Sequence, residues 1–160
     1  MVIDAVIIII SYLLAYWLIF GFMKRNAGLP RGVYFFGLLY VVPGFLILYW
    51  FFHLYEPMRV MGRRLELFNV LRANVVGALL ITMVLYLAKD RLIHFSRWMV
   101  FWFICFNFVF EAAFRLTLRS VLRSFRRKGY NQKHVLLVGY SRAAQGYIDR
   151  VLANPDWGYL

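Results

Sequence analysis

The sequence predicts a mostly α-helical membrane protein, with four transmembrane helices, a basic amphipathic neck, and the first β-strand and α-helix of an α/β domain. Hydrophobic residues form 63% of the chain, and long apolar runs with a mean hydropathy of +0.66 are typical of membrane spans. The net charge is +12, and the basic residues flank the apolar runs, which indicates contact with lipid headgroups rather than with nucleic acid. We therefore expect a transmembrane domain at 1–118, a cytoplasmic neck at 119–132 and an incomplete α/β domain at 133–160.

Four apolar runs are each about long enough to cross a hydrocarbon core of about 30 Å at a rise of 1.5 Å per residue. They lie at roughly 6–23, 34–52, 70–88 and 98–118. The first run is expected to be a retained helix rather than a signal peptide, because no basic residue precedes it and further spans follow. Pro43 lies near the middle of the second run, where it predicts a packing kink.

The segment 53–69, between the second and third runs, is too polar to cross a membrane. Its apolar residues recur at helical spacing, which predicts a short helix on the membrane surface. The alternative is a docking surface for a soluble domain. Eleven Lys and Arg residues lie on the side of this segment and the neck, against six on the opposite side. The positive-inside rule therefore predicts that both termini are cytoplasmic.

Four arginines near the neck recur at helical spacing and are expected to share one face of a helix. They are Arg115, Arg119, Arg123 and Arg126. This arrangement predicts a collar that binds the phosphates of lipid headgroups, and a sharper hypothesis adds a polyprenyl phosphate or a nucleotide-sugar diphosphate. Glu111, the one acidic residue inside a predicted span, precedes Arg115 by four residues, a spacing typical of a helical ion pair.

The apolar run His134–Val138 is expected to form a strand that leads through a tight turn into a helix, as at the start of a Rossmann-like unit. Gly139, Ser141 and Arg142 form its candidate anion-binding loop. Ser141 stands where a second glycine is usual, so its side chain obstructs close approach of a pyrophosphate. The alternatives are a module without a ligand or one with a nucleotide-like effector. Because 133–160 is shorter than a complete βαβ unit, we expect the module to be truncated or completed by another polypeptide.

Three features together resemble the N-terminal part of bacterial polyprenyl glycosylphosphotransferases: the four spans, the neck RSFRRKGYNQKHVLLVG and the segment ANPDWGY. The resemblance implies transfer of a sugar 1-phosphate from a UDP-sugar to undecaprenyl phosphate, which initiates exopolysaccharide or capsule synthesis at the bacterial inner membrane. It also implies a C-terminal catalytic domain with an Asp-Glu dyad and a requirement for Mg²⁺. No residue of this chain matches that dyad, and its His residues are scattered. We therefore assign no catalytic residue, cofactor or metal to this chain, and expect no transferase activity from it alone.

Two alternatives fit part of the sequence. Membrane-bound nucleotide-sugar 4,6-dehydratases also place a Rossmann domain after four spans, but they bind NAD and generally need a cleaner glycine loop than Gly139-x-Ser141-x-x-Ala144. The other alternative is a non-catalytic membrane scaffold for polysaccharide assembly. For the transferase interpretation, the expected partners are anionic phospholipid, undecaprenyl phosphate, a catalytic domain in cis or in trans, and a second copy of the chain.

Overall fold

A computed structural model describes residues 1–24, 29–55, 63–88, 95–127, 139 and 141–153. Within these ranges the regular elements are five α-helices and one short π-helical segment. In chain order they are α1 (Val2–Tyr16), the π-helical segment (Trp17–Phe22), α2 (Arg31–Phe51), α3 (Arg63–Leu87), α4 (Arg97–Arg127) and α5 (Arg142–Ala153).

The four predicted spans are confirmed. The helical stretches Val2–Phe22, Arg31–Phe51, Arg64–Leu87 and Arg97–Arg126 are long and apolar enough to cross a membrane, as in a multi-pass membrane protein. The last of these differs most from the prediction, because α4 continues past residue 118 without a break. Its 31 residues span about 46 Å, so α4 is longer than a hydrocarbon core of about 30 Å requires.

The predicted mixed fold class is wrong. Every regular element among the residues given above is helical and none is a strand, so the Rossmann-like β-α start is not seen. The residues predicted as its strand, 134–138, lie outside the described residues, and the helix expected after them is α5. The physical reason is that an apolar, β-rich run specifies a strand only where neighbouring strands complete its backbone hydrogen bonds and a core covers it.

Two further predictions concern α2 and the segment after it. Helix α2 runs through Pro43 without interruption, so the proline does not end the helix. The predicted surface helix at 53–69 is described only at its ends. Residues 53–55 form a turn and residues 63–69 belong to α3, while 56–62 lie outside the described residues.

The described residues form two compact units, and the boundary between them falls within α4, between Ala113 and Phe114. The core of the first unit is aromatic. Tyr12 and Phe45 both pack edge-on against the buried ring of Phe103, with ring centroids 5.5 and 5.4 Å away. Such edge-to-face pairs add to the energy of apolar burial. In the second unit, Arg115 is the one buried side chain among those described.

Several polar groups inside the spans form hydrogen bonds within the protein, where the hydrocarbon core offers no water to replace them. The hydroxyl of Ser11 donates to the carbonyl of Ile7 in the same helix, at 2.7 Å. The hydroxyl of Tyr12 donates to the carbonyl of Tyr34, also at 2.7 Å, and this buried bond joins α1 to α2. A side chain at Gly37 would bring its Cβ to 3.0 Å from the same hydroxyl oxygen, so a glycine there leaves room for the bond.

Helices α2 and α3 are in close contact at Gly77, where a Cβ would collide with the ring of Phe45. We expect Gly77→Ala to lower the unfolding free energy in detergent by about 1–3 kcal/mol, because a packed core accommodates an added methyl only by shifting its neighbours. Gly44→Ala is the matched control, since nothing lies within 4 Å of a Cβ at that position. Combining Gly77→Ala with Phe45→Leu should recover part of the loss. Equal unfolding free energies for the two alanine variants would contradict this account of the contact.

Candidate functional site

A buried polar cluster joins three of the membrane-spanning helices. It consists of Tyr49 on α2, Asn74 on α3 and Asn107 on α4. The side-chain amide of Asn107 donates both to the hydroxyl of Tyr49, at 2.8 Å, and to the side-chain carbonyl of Asn74, at 2.9 Å. The amide of Asn74 in turn donates to the backbone carbonyl of Val70, at 2.9 Å. All three side chains are at most 1% exposed.

The cluster has unused hydrogen-bonding capacity. Among the described residues, no donor reaches the buried side-chain oxygen of Asn107. Glu111 follows one helical turn later and is itself fully buried. Ionisable and strongly polar groups inside a span are costly to bury and mark functional positions more often than polar residues elsewhere. The cluster is therefore a candidate functional position inside the spans.

Sequence analysis did not identify this cluster. Asn74 seemed to lie in the first turn of the third span, close to the headgroups, because the apolar run begins near residue 70. Helix α3 begins instead at Arg63, so Asn74 lies three turns into the helix. The available signal was the occurrence of two asparagines in separate apolar runs, since such residues tend to bond across helices.

A second feature of the first unit is an apolar groove of about 460 Å³. We call it the α2–α4 groove because α2, α3 and α4 form its walls, with Tyr12 of α1 contributing. Almost all of its lining is apolar, and the lining residues that matter most below are Val33, Phe36, Gly37, Tyr40, Gly44, Gly77, Val84 and Phe95.

The four predicted collar arginines all lie on α4, as their spacing requires. Arg115 is 8% exposed, while Arg119, Arg123 and Arg126 are half-buried. This part of α4 also exposes three large apolar residues, namely Leu118, Val121 and Phe125, at 44–51%, together with Thr117, Ser120 and Ser124. An exposed apolar stripe beside half-buried arginines is typical of a helix at a membrane interface. The binding of phosphate by the collar and the pairing of Glu111 with Arg115 remain predictions.

The predicted anion loop lies at the start of α5. Gly139 has a φ of +90°, a left-handed conformation that favours glycine. The hydroxyl of Ser141 accepts a hydrogen bond from the backbone N–H of Ala144, at 3.1 Å, and so caps the helix. Arg142 is the exposed first residue of α5. The structure therefore gives Ser141 a capping role, while anion binding by these three residues remains a prediction.

Comparison with known protein families identifies a match over most of the chain. The model of a family described as a CoA-binding domain matches residues 50–159. This is more than two thirds of the 160 residues. The chain belongs to the CoA-binding domain family. The matched region of this family member contains α3, α4 and α5, and therefore includes Asn74 and Asn107 as well as the collar arginines. Neither the curated proteins nor the solved structures contain a match to the chain.

Replacing Asn107 tests whether the polar cluster holds the three helices together. Asn107→Leu removes one donor group that serves two helices, so we expect the unfolding free energy in mixed micelles to fall by about 1–2 kcal/mol. Thr82→Val is the control, because the hydroxyl of the exposed Thr82 bonds only to the carbonyl of Ala78 in its own helix. The control should change the unfolding free energy by much less. If the two variants unfold alike, the cluster does not stabilise the bundle.

Proposed function

We propose that this chain is the membrane-anchoring and regulatory region of an enzyme that transfers sugar 1-phosphate from a UDP-sugar to undecaprenyl phosphate. The observation that carries the proposal is the combination of family membership with four apolar helices. Domains of this family are found in polyprenyl sugar phosphotransferases, and the four apolar helices are compatible with a region of such a transferase. In this role the chain initiates exopolysaccharide or capsule synthesis by holding the chemistry at the membrane.

The continuity of α4 supports an anchoring role. A helix of about 46 Å extends beyond a hydrocarbon core of about 30 Å, and its C-terminal part carries the collar arginines. Each Lys or Arg near an anionic surface contributes about 1 kcal/mol of attraction. The collar would therefore hold the end of α4 at the level where the phosphate of undecaprenyl phosphate lies. The catalytic partner, supplied in cis or in trans, would act at that level with its own Mg²⁺.

We do not propose that this chain binds CoA. The described residues around Gly139 provide a capped helix start and the exposed Arg142. A nucleotide site needs in addition a concave surface that buries most of its ligand.

The first test removes the collar charge from the protein in its native host. Membranes carrying Arg119→Gln, Arg123→Gln and Arg126→Gln together should transfer radiolabelled sugar 1-phosphate from UDP-sugar to undecaprenyl phosphate at least tenfold more slowly. The expected cause is lost attraction for phosphate at the surface. The control variant removes three charges elsewhere, through Lys24→Gln, Arg64→Gln and Arg72→Gln, and should retain most of the activity. Unchanged transfer by the collar variant would overturn the role of the collar.

The same assay on wild-type membranes distinguishes the two enzyme classes. Formation of a 4-keto sugar nucleotide, without any lipid-linked sugar, would favour the dehydratase.

The second test concerns orientation. We propose that both termini are cytoplasmic in a bacterial inner membrane, because the basic residues are concentrated on the side of the neck. Alkaline phosphatase, which is active only in the periplasm, should be active when fused after Ala88 at the end of α3. It should be inactive when fused after Arg127 at the end of α4. The reverse pattern would place the collar on the periplasmic side and refute the proposed topology.

A further inference from the structure

We propose that the α2–α4 groove is a binding site for one acyl chain of an anionic phospholipid, whose phosphate headgroup is bound by Arg31 and Arg97. This inference is independent of the proposed transferase role. It depends on the shape and lining of the groove, on where it opens, and on the charge at one of its ends.

The groove has the size and the chemistry of a site for an apolar ligand. Its volume of about 460 Å³ lies within the range of about 300–1,000 Å³ that is usual for small-molecule sites. Its lining residues are almost all apolar, and they come from segments that are long and apolar enough to span a membrane. Water is therefore excluded as the normal occupant, because an apolar cavity offers it no hydrogen-bond partners.

The most exposed residues that line the groove lie on α2 and α3. Its rim residues Phe36, Tyr40 and Val84 are 71%, 76% and 58% exposed, and they belong to the outer surfaces of two spans. In a multi-pass membrane protein these surfaces face the acyl chains of the bilayer. The groove is thus continuous with the lipid-facing surface, and the molecule at its opening is a lipid chain.

The groove is elongated along α2, since the residues of this helix that line it extend from Val33 to Leu48, about four turns. Gly37 and Gly44 are seven residues apart, and so lie on one face of α2 two turns apart. Both line the groove, and Gly77 lines it from α3. No atom lies within 4 Å of a Cβ built at Gly44, so the space there is open. The side chains of Tyr40 and Val41 line the groove between the two glycines, so its wall is apolar along its length and suits an extended apolar chain.

Two exposed arginines lie at the same ends of α2 and α4 as one end of the groove. Val33 and Phe95 line this end, and the ring of Phe95 lies 4.7 Å from that of Tyr34, so the starts of α2 and α4 are adjacent. Arg31 precedes Val33 by two residues, Arg97 follows Phe95 by two, and both arginines are exposed. Guanidinium groups at the end of an apolar trough match a phosphate headgroup attached to an acyl chain. These arginines are separate from the collar, which lies in the C-terminal part of α4.

Native mass spectrometry of the full chain tests the proposal, with the chain purified in mild detergent and mixed with equal amounts of phosphatidylglycerol and phosphatidylethanolamine. We expect the wild-type chain to retain one phosphatidylglycerol. Gly44→Leu fills the open space, and should reduce the lipid-bound fraction at least tenfold. Gly32→Leu is the control, because a side chain there also meets nothing within 4 Å but does not line the groove. The double variant Arg31→Gln, Arg97→Gln should lose the preference for the anionic lipid.

A second variant tests the groove in case Gly44→Leu does not fold. Val84→Trp narrows the opening from α3, and should lower retention in the same way while circular dichroism and the melting temperature stay close to those of the wild type. Equal lipid retention by the wild type and by folded Gly44→Leu or Val84→Trp would refute the groove. Retention without preference for phosphatidylglycerol would refute the headgroup site. Displacement of phosphatidylglycerol by equimolar undecaprenyl phosphate would assign the site to an isoprenoid lipid and overturn the acyl-chain assignment.

Discussion

The first unit depends on one constraint, which is that a polar group buried in hydrocarbon must find its hydrogen bonds within the protein. The side-chain nitrogen of Asn107 supplies such bonds across three helices, since it donates to Tyr49 on α2 and to Asn74 on α3, while the side-chain oxygen of Asn107 accepts from no donor among the described residues. Apolar packing cannot select these partners alone, because lipid chains are as apolar as the side chains of a helix surface. The polar cluster therefore specifies which faces of α2, α3 and α4 meet, and the close contact at Gly77 and Phe45 and the α2–α4 groove follow from that choice.

Hydropathy predicted the helices well but not their contacts. Four spans could be read from the sequence because each apolar run matches the thickness of a bilayer. The partners of Asn74 and Asn107 could not, because they depend on which faces pack together, and a pair 33 residues apart has no local signature. The groove was invisible for the same reason. The groove is a gap between helices. Nothing in the sequence distinguishes Gly37 and Gly44, which line it, from glycines that allow two helices to pack closely.

The neck shows the opposite case, in which the sequence predicted the positions of residues but not the continuity of the chain. The spacing of Arg115, Arg119, Arg123 and Arg126 correctly implied one helix. The same helix, however, is also the fourth span, so the arginines and the span belong to one continuous helix. The β-α start failed because its evidence was local, whereas a strand is specified by the strands beside it. Ser141 illustrates the difference, since its role as a helix cap depends only on nearby backbone and was within reach of sequence reasoning.

The hydrogen bonds also impose an order on biogenesis. The bond from Tyr12 to the carbonyl of Tyr34 needs only α1 and α2, so this hairpin can complete it as soon as both helices leave the ribosome and enter the bilayer. The bonds from the amide of Asn107 to Tyr49 and to Asn74 need α4 as well. The hairpin of α1 and α2 can therefore form its bond before the last span is inserted, whereas the polar cluster is complete only when α4 joins the bundle.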